Sequence, residues 1–181
     1  MSTYLTSDIH YGHKNLIEGL RHMSVEENNE LIIKNINDIV KQKDSLIILG
    51  DLTMDKPMLA IEFLDRLQCK NVTVVAGNHD TPRVCRAITP FATVVGMIQK
   101  DGFAYTHCPV HESQLDFSNR YNIHGHIHVP GQIEYEPGKM WTYIPDYPCP
   151  AERYYNVNLE FHDYKPIALE EIRDYFKLAR H

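Results

Sequence analysis

Three short β-type runs constrain this chain more than anything else in it: Thr3–Ser7, Ser45–Leu49 and Val72–Ala76. Ser45–Leu49, SLIIL, is continuously apolar, as strands buried on both faces are. The segments between the runs have helical spacing. Ser24-Val25-Glu26-Glu27 places a Ser at an N-cap with a Glu three residues later, and Leu31, Ile32, Ile36, Ile39 and Val40 follow on one helical face. Pro57 suits a first helical position, and Met58–Leu67 continues the pattern. Strand, helix, strand, helix, strand predicts a parallel α/β sheet with right-handed crossovers. Such sheets carry their chemistry at the carboxyl ends of the strands.

Each run ends in polar residues of one kind. Asp8-Ile9-His10 follows the first, Gly50-Asp51 the second and Gly77-Asn78-His79-Asp80 the third. Pro82–Ile88 reads as a short helix. Thr93–Gln99 and Phe103–Thr106 read as strands of a second sheet, turned at Asp101-Gly102, the latter ending in His107-Cys108-Pro109. Asn119–His124 leads into Gly125-His126-Ile127-His128. In an extended backbone residues i and i+2 share a face, which would set Asp8 beside His10 and His126 beside His128. Gly125 permits a close approach of the chain there. Carboxylate oxygens and neutral imidazoles suit divalent metals. Taken singly, each segment also has a plainer reading, as an Asp at a turn or a pair of solvated histidines. His13 is within reach of the same mouth or is a surface histidine.

The chain has 181 residues, enough for one sizeable core, and a single domain over 1–181 is expected. A net charge of −6 leaves no strong footprint for nucleic acid. Cys69, Cys85, Cys108 and Cys149 lack zinc-site spacing and read as reduced thiols of a cytoplasmic protein. No run is of signal-peptide type or membrane-spanning length, so no membrane partner is expected. Residues 129–153 hold five prolines with Tyr135, Trp141, Tyr143 and Tyr147. They read as a lid or binding wall, with Trp141 or a neighbouring Tyr stacking on a substrate base, or as a self-packed surface loop. A strand over Tyr154–Phe161 and a helix over Ala168–Leu178 follow.

The five motifs in this order, from Asp8 to His128, resemble the signature of the calcineurin-like metallophosphoesterase superfamily. The chain is similar to its small single-domain bacterial and phage members. The resemblance implies an α/β fold, a four-layer α/β/β/α sandwich of two mixed sheets flanked by helices. It implies two divalent metal ions, Mn first among them, with Fe, Zn, Ni or Co as alternatives. Asp8, His10, Asp51 and His128 would hold one ion, and Asp51, Asn78, His107 and His126 the other, with Asp51 bridging. A hydroxide bridging the ions would attack phosphorus, with Asp51 and His79 as the catalytic residues and His79 as general acid. Asn78, His79 and His13 would bind substrate. Asp80 either orients His79 or is structural, and Cys108 is expected to point away from the site.

Two departures narrow the implied function. The superfamily's protein Ser/Thr phosphatases carry GDxxDRG, where this chain has Gly50-Asp51-Leu52-Thr53-Met54-Asp55. The 19-position interval from His107 to His126 leaves no room for a cap domain. The expectation is therefore a dinuclear metal-dependent phosphohydrolase. A small nucleotide-type phosphodiester is the favoured substrate, because the motifs show no Arg clamp for a dianionic monoester. A phosphomonoesterase and a non-enzymatic scaffold on the same fold are the alternatives.

Overall fold

Residues 1–115, 118–128 and 152–178 are described by the structure, a computed structural model. Most of the expected loop at 129–153, with Trp141, lies outside the described residues, as does Cys149. The first sheet has five strands, in the spatial order Thr93–Val95, Val72–Val75, Ser45–Ile48, Thr3–Thr6, Ile167–Ala168. β1 (Thr3–Thr6), β2 (Ser45–Ile48), β3 (Val72–Val75) and β4 (Thr93–Val95) run parallel, and β9 (Ile167–Ala168) lies antiparallel to β1. The second sheet has four strands, in the spatial order Ile98–Lys100, Phe103–Tyr105, Tyr121–His124, Tyr154–Asn156. Here β6 (Phe103–Tyr105), β7 (Tyr121–His124) and β8 (Tyr154–Asn156) are parallel and β5 (Ile98–Lys100) is antiparallel. The fold is thus the expected α/β arrangement of two mixed sheets flanked by helices.

The helices form where local chemistry favours them. α1 (Lys14–Leu16) is a single turn that widens into a π-helical turn, Ile17–Arg21. α2 (Val25–Ile39) starts at a complete capping box: Glu27 N donates to Ser24 Oγ at 3.2 Å, and Ser24 N to Glu27 Oε2 at 2.9 Å. Such caps contribute about 1 kcal/mol. α3 (Pro57–Asp65) and α4 (Pro82–Ile88) both open on proline, whose missing N–H is one the first turn leaves unpaired in any case. Ile32, Ile36, Phe63, Leu64, Val84 and Ile88 from these helices pack with Leu46, Ile48, Val72 and Val74 of the first sheet. A second cluster joins the sheets: Leu5, Leu49 and Val75 meet Phe103, Tyr105 and Ile123, with Ile172 and Phe176 of α5 (Leu169–Leu178).

Three expectations need correction. Thr93–Gln99 is not one strand of the second sheet. Val95 pairs with Val75 in the first sheet and Ile98 with Tyr105 in the second, so the chain changes sheets at Gly96-Met97. Tyr154–Phe161 leaves its strand after Asn156. Asn158 makes a parallel bridge to Ser7, and its side chain then accepts from Glu160 N at 3.2 Å, capping a 3-10 turn over Leu159–Phe161. Ala168 pairs with Tyr4 in β9 rather than starting the helix. Among the described residues no helix is long and apolar enough to cross a membrane.

Candidate metal centre

The register of the sheets brings the polar strand ends to one rim. Thr6 stands opposite Ile48, and Ile48 opposite Val74, so the three loops after β1, β2 and β3 leave side by side. Backbone bonds stitch them together: Asp8 N to Gly50 O at 3.0 Å and His10 N to Asp51 O at 2.9 Å. In the second sheet Tyr105 stands opposite Ile123, and Gly125 N donates to His107 O at 2.8 Å. Two glycines make the approach possible. A Cβ on Gly50, where φ is +83°, would lie 2.6 Å from His107 Nδ1. A Cβ on Gly125 would collide with Ser7 Oγ and Asp8 Oδ2.

The polar residues do not reach the site by extended alternation. Asp8, His10, Asp51 and His126 have φ of +56°, +48°, +57° and +69°, in the left-handed region. Non-glycine residues there cost about 1–3 kcal/mol each, and such strain gathers at functional sites. The expected parallel projection of His126 and His128 is therefore overturned. His126 Nδ1 lies 3.2 Å from His107 Nε2, whereas His128 Nε2 lies 3.4 Å from Asp8 Oδ1 and its ring 5.2 Å from that of His10.

One half of the rim is built around His107. Its Nδ1 faces Leu49 O at 2.8 Å, which places the proton there and turns the Nε2 lone pair inward. Around Nε2 stand Asn78 Oδ1 at 2.8 Å, His126 Nδ1 at 3.2 Å and Asp51 Oδ2 at 3.3 Å. The other half is Asp8, His10 and His128, whose ligand-type atoms lie within 4.8 Å of one another. Asp51 Oδ2 faces both halves, 3.3 Å from His107 and 3.7 Å from His10 Nε2. Asp8 is held from outside the cluster, by Ser7 Oγ at 2.5 Å and His126 N at 2.8 Å.

The remaining predicted residues fall at the mouth. His79 donates its backbone N–H to Asp51 Oδ1 at 2.9 Å, and its half-buried ring holds Nε2 3.8 Å from Asp51 Oδ2. His13 packs over His10, Nδ1 to Nδ1 3.4 Å. Both carboxylate oxygens of Asp80 are engaged by backbone amides. They accept from Asp51 N at 2.8 Å, Leu52 N at 3.0 Å and Gly77 N at 3.0 Å, so the part of Asp80 is structural. Cys108 overturns its expectation, for its thiol lies within 4.8 Å of ligand atoms of His107 and His126.

Electrostatics reflect this crowding. Burial drives His10 down to about 2, against the pull of Asp51. Burial also disfavours charge on His128, but Asp8 and Glu160 outweigh it and hold the imidazole up at about 9. For Asp51 burial is the largest influence and works against ionisation, yet the hydrogen bond and charge of His107 prevail and lower it.

Sequence reasoning missed Arg21 and Glu160. Both lie apart from the motifs, and the one signal for Glu160 is an acid between two apolar residues, Leu159 and Phe161. Arg21 is buried and donates to Asp8 O at 2.6 Å, Ile9 O at 3.0 Å, Asn28 Oδ1 at 3.1 Å and Glu160 Oε1 at 2.7 Å.

A sequence profile of the calcineurin-like phosphoesterase superfamily domain matches residues 1–149. The chain belongs to that superfamily. An uncharacterized protein of Methanocaldococcus jannaschii is 31% identical over 177 residues, 93% of this chain and 88% of its own length. The gene 66 protein of Mycobacterium phage L5 is 33% identical over 85 residues, 45% of this chain and 41% of its own. The crystal structure of a protein of unknown function from Aquifex aeolicus superposes with a TM-score of 0.65 over 96% of this chain and 98% of that one. At 22% identity that likeness is one of fold.

Calcineurin-like phosphoesterases bind divalent metals, and the donors here fit such ions. Asp8 Oδ1 and His10 Nε2 are buried without a hydrogen-bond partner among the described residues. Around His107, atoms of Asn78, His126 and Asp51 converge on a single nitrogen, Nε2, which carries at most one proton. One proton can satisfy only one such contact. A cation satisfies them all, and buried unpaired polar atoms are otherwise costly.

Proposed function

We propose that this calcineurin-like chain is a dinuclear metal-dependent phosphodiesterase acting on a small nucleotide-type diester. The observation that carries the reading is the position of Asp51, whose one oxygen faces His10 and His107 at 3.7 and 3.3 Å. A carboxylate so placed serves two cation sites at once. Asp8, His10 and His128 would complete the first site, and Asn78, His107 and His126 the second. Mn is the first expectation for both, with Fe, Zn, Ni or Co as alternatives on the oxygen-and-imidazole donor set. When bound, the ions would neutralise phosphoryl charge and acidify an attacking water.

The chain's own residues supply the rest. His79 stands at the mouth, half-buried, with its backbone tied to Asp51 and its ring free to reach a leaving oxygen. Proton donation from such a group contributes typically ~10²–10⁴-fold. Asn78 and His13 flank it and would contact the phosphoryl group or its substituents.

Preference for a diester is supported by the fate of Arg21. It is the arginine nearest the Asp8 motif in sequence, and its guanidinium is turned inward onto Asp8 O, Ile9 O, Asn28 and Glu160. A monoester dianion would gain no clamp from it. The test is hydrolysis of bis-p-nitrophenyl phosphate by chelator-stripped protein with Mn²⁺ restored, beside p-nitrophenyl phosphate and an Asp51→Asn variant. Metal-dependent turnover that favours the diester and disappears in Asp51→Asn is expected. Faster turnover of the monoester would replace the reading with a phosphomonoesterase. No turnover of either substrate by the folded wild type would leave a highly selective enzyme or the scaffold.

A further inference from the structure

We propose that Glu160 is a positioning residue for His128, locked in place by Arg21, and that it sets the cation affinity of the Asp8–His10–His128 half of the site. The inference rests on the metal-dependent reading above. Glu160 lies beyond the residues that match the superfamily profile, on the 3-10 turn Leu159–Phe161.

The four residues form a closed circuit. Arg21 Nε donates to Glu160 Oε1 at 2.7 Å. The other oxygen, Oε2, stands 3.1 Å from His128 Nδ1. His128 Nε2 stands 3.4 Å from Asp8 Oδ1, and Asp8 O accepts from Arg21 Nη2 at 2.6 Å. The Arg21 side chain is fully buried and that of Glu160 is 12% exposed, so water competes little for either. One arginine therefore fixes both the backbone of one candidate ligand and the carboxylate that faces another.

The chemistry follows from the two nitrogens of imidazole. A carboxylate at Nδ1 keeps the proton on that atom and leaves the Nε2 lone pair for a cation. It also raises the basicity of the ring and stops it from rotating. Two neighbours strengthen the grip on the same loop: Asn156 Nδ2 donates to Ile127 O at 2.9 Å and Asn158 Nδ2 at 3.4 Å. Segment 156–160 is thus a strap across the backbone that presents His128. The His107 half has an analogous arrangement, but there a backbone carbonyl, Leu49 O, holds Nδ1.

The test uses the full chain, stripped with chelator and titrated with Zn²⁺ by calorimetry, as wild type, Glu160→Ala and Glu160→Gln. Wild type is expected to show two binding classes. Glu160→Ala should weaken one of them 10–100-fold and leave the other unchanged. Glu160→Gln, which keeps an acceptor for Nδ1–H, should lose less. Unchanged classes in Glu160→Ala, or equal weakening of both, would overturn the proposal. A folded wild type that binds no Zn²⁺ would overturn the metal reading itself. Should Glu160→Ala fail to fold, imidazole ¹⁵N spectra of the Zn²⁺-loaded wild type decide the matter. A proton on His128 Nδ1 is expected, and one on Nε2 would overturn the proposal.

Discussion

Asp80 accepts a hydrogen bond from the backbone amide of Asp51 at 2.8 Å, across the gap between the loops that follow β2 and β3. The same carboxylate takes the amides of Leu52 and Gly77. Its removal leaves two buried donors and a third, part-buried one unpaired, which predicts a loss of about 3 kcal/mol for Asp80→Ala in urea unfolding. Asp80→Asn, with one acceptor oxygen retained, should lose less. Equal stability of Asp80→Ala and wild type would contradict the bridging role.

Gly125→Ala tests the closeness of the two sheets at the rim. The added methyl would meet Ser7 Oγ and Asp8 Oδ2, and Ser7 itself donates to Asp8. Overpacking of this sort costs about 1–3 kcal/mol. Because the displaced oxygen belongs to the carboxylate whose Oδ1 faces His128, Mn²⁺ affinity should fall at least ~10-fold along with stability. Retained affinity would show that the loop has room to yield.

His79→Ala separates binding from chemistry. Neither half of the candidate centre needs its ring, so Mn²⁺ stoichiometry should stay as in wild type while diester turnover falls ~10²–10⁴-fold. The loss should be greatest for substrates with poor leaving groups, which most need a proton. A uniform loss across leaving groups would point to charge stabilisation in place of proton donation.

His124 carries a prediction about acid. It is buried beside Tyr154, and burial drives its pKa down to about 4, against the hydrogen bond to Gly125 O. In the unfolded chain the value is about 6.5. Below that pH the unfolded state binds the extra proton, so stability is full above about 6.5 and is lost as pH falls towards 4. The loss from this group amounts to roughly 2–4 kcal/mol. Urea unfolding of chelator-stripped protein at pH 7 and pH 5 checks it. A His124→Asn variant, though weaker at pH 7, should lose less stability on acidification than wild type.

Much of the architecture was legible because it is local. The Ser24 capping box, the proline starts of α3 and α4 and the apolar runs of β2 and β3 are all written in adjacent residues. The rim residues were legible as a set for the same reason, since each closes a strand. Their geometry was not. Left-handed backbone at Asp8, His10 and His126 breaks the i, i+2 argument, and sequence periodicity carries no sign of φ. The change of sheet at Gly96-Met97 was hidden because Val95 and Ile98, on either side of it, are both apolar and pack against the same cluster between the sheets. Arg21 and Glu160 are 139 positions apart, and no local pattern links them.

That separation bears on how the molecule is made. Asp8 leaves the ribosome about 150 residues before the carboxylate that faces His128. β1 likewise lacks its outer neighbour until Ile167 and Ala168 are present to pair with Leu5 and Tyr4. Contacts so distant in sequence carry a large loop-closure entropy and form slowly. A nascent chain can therefore bury α2, α3 and α4 against the first sheet while its cation half-site is still incomplete. On the proposed reading, capture of a divalent ion by Asp8, His10 and His128 would belong to the end of folding rather than to its nucleus.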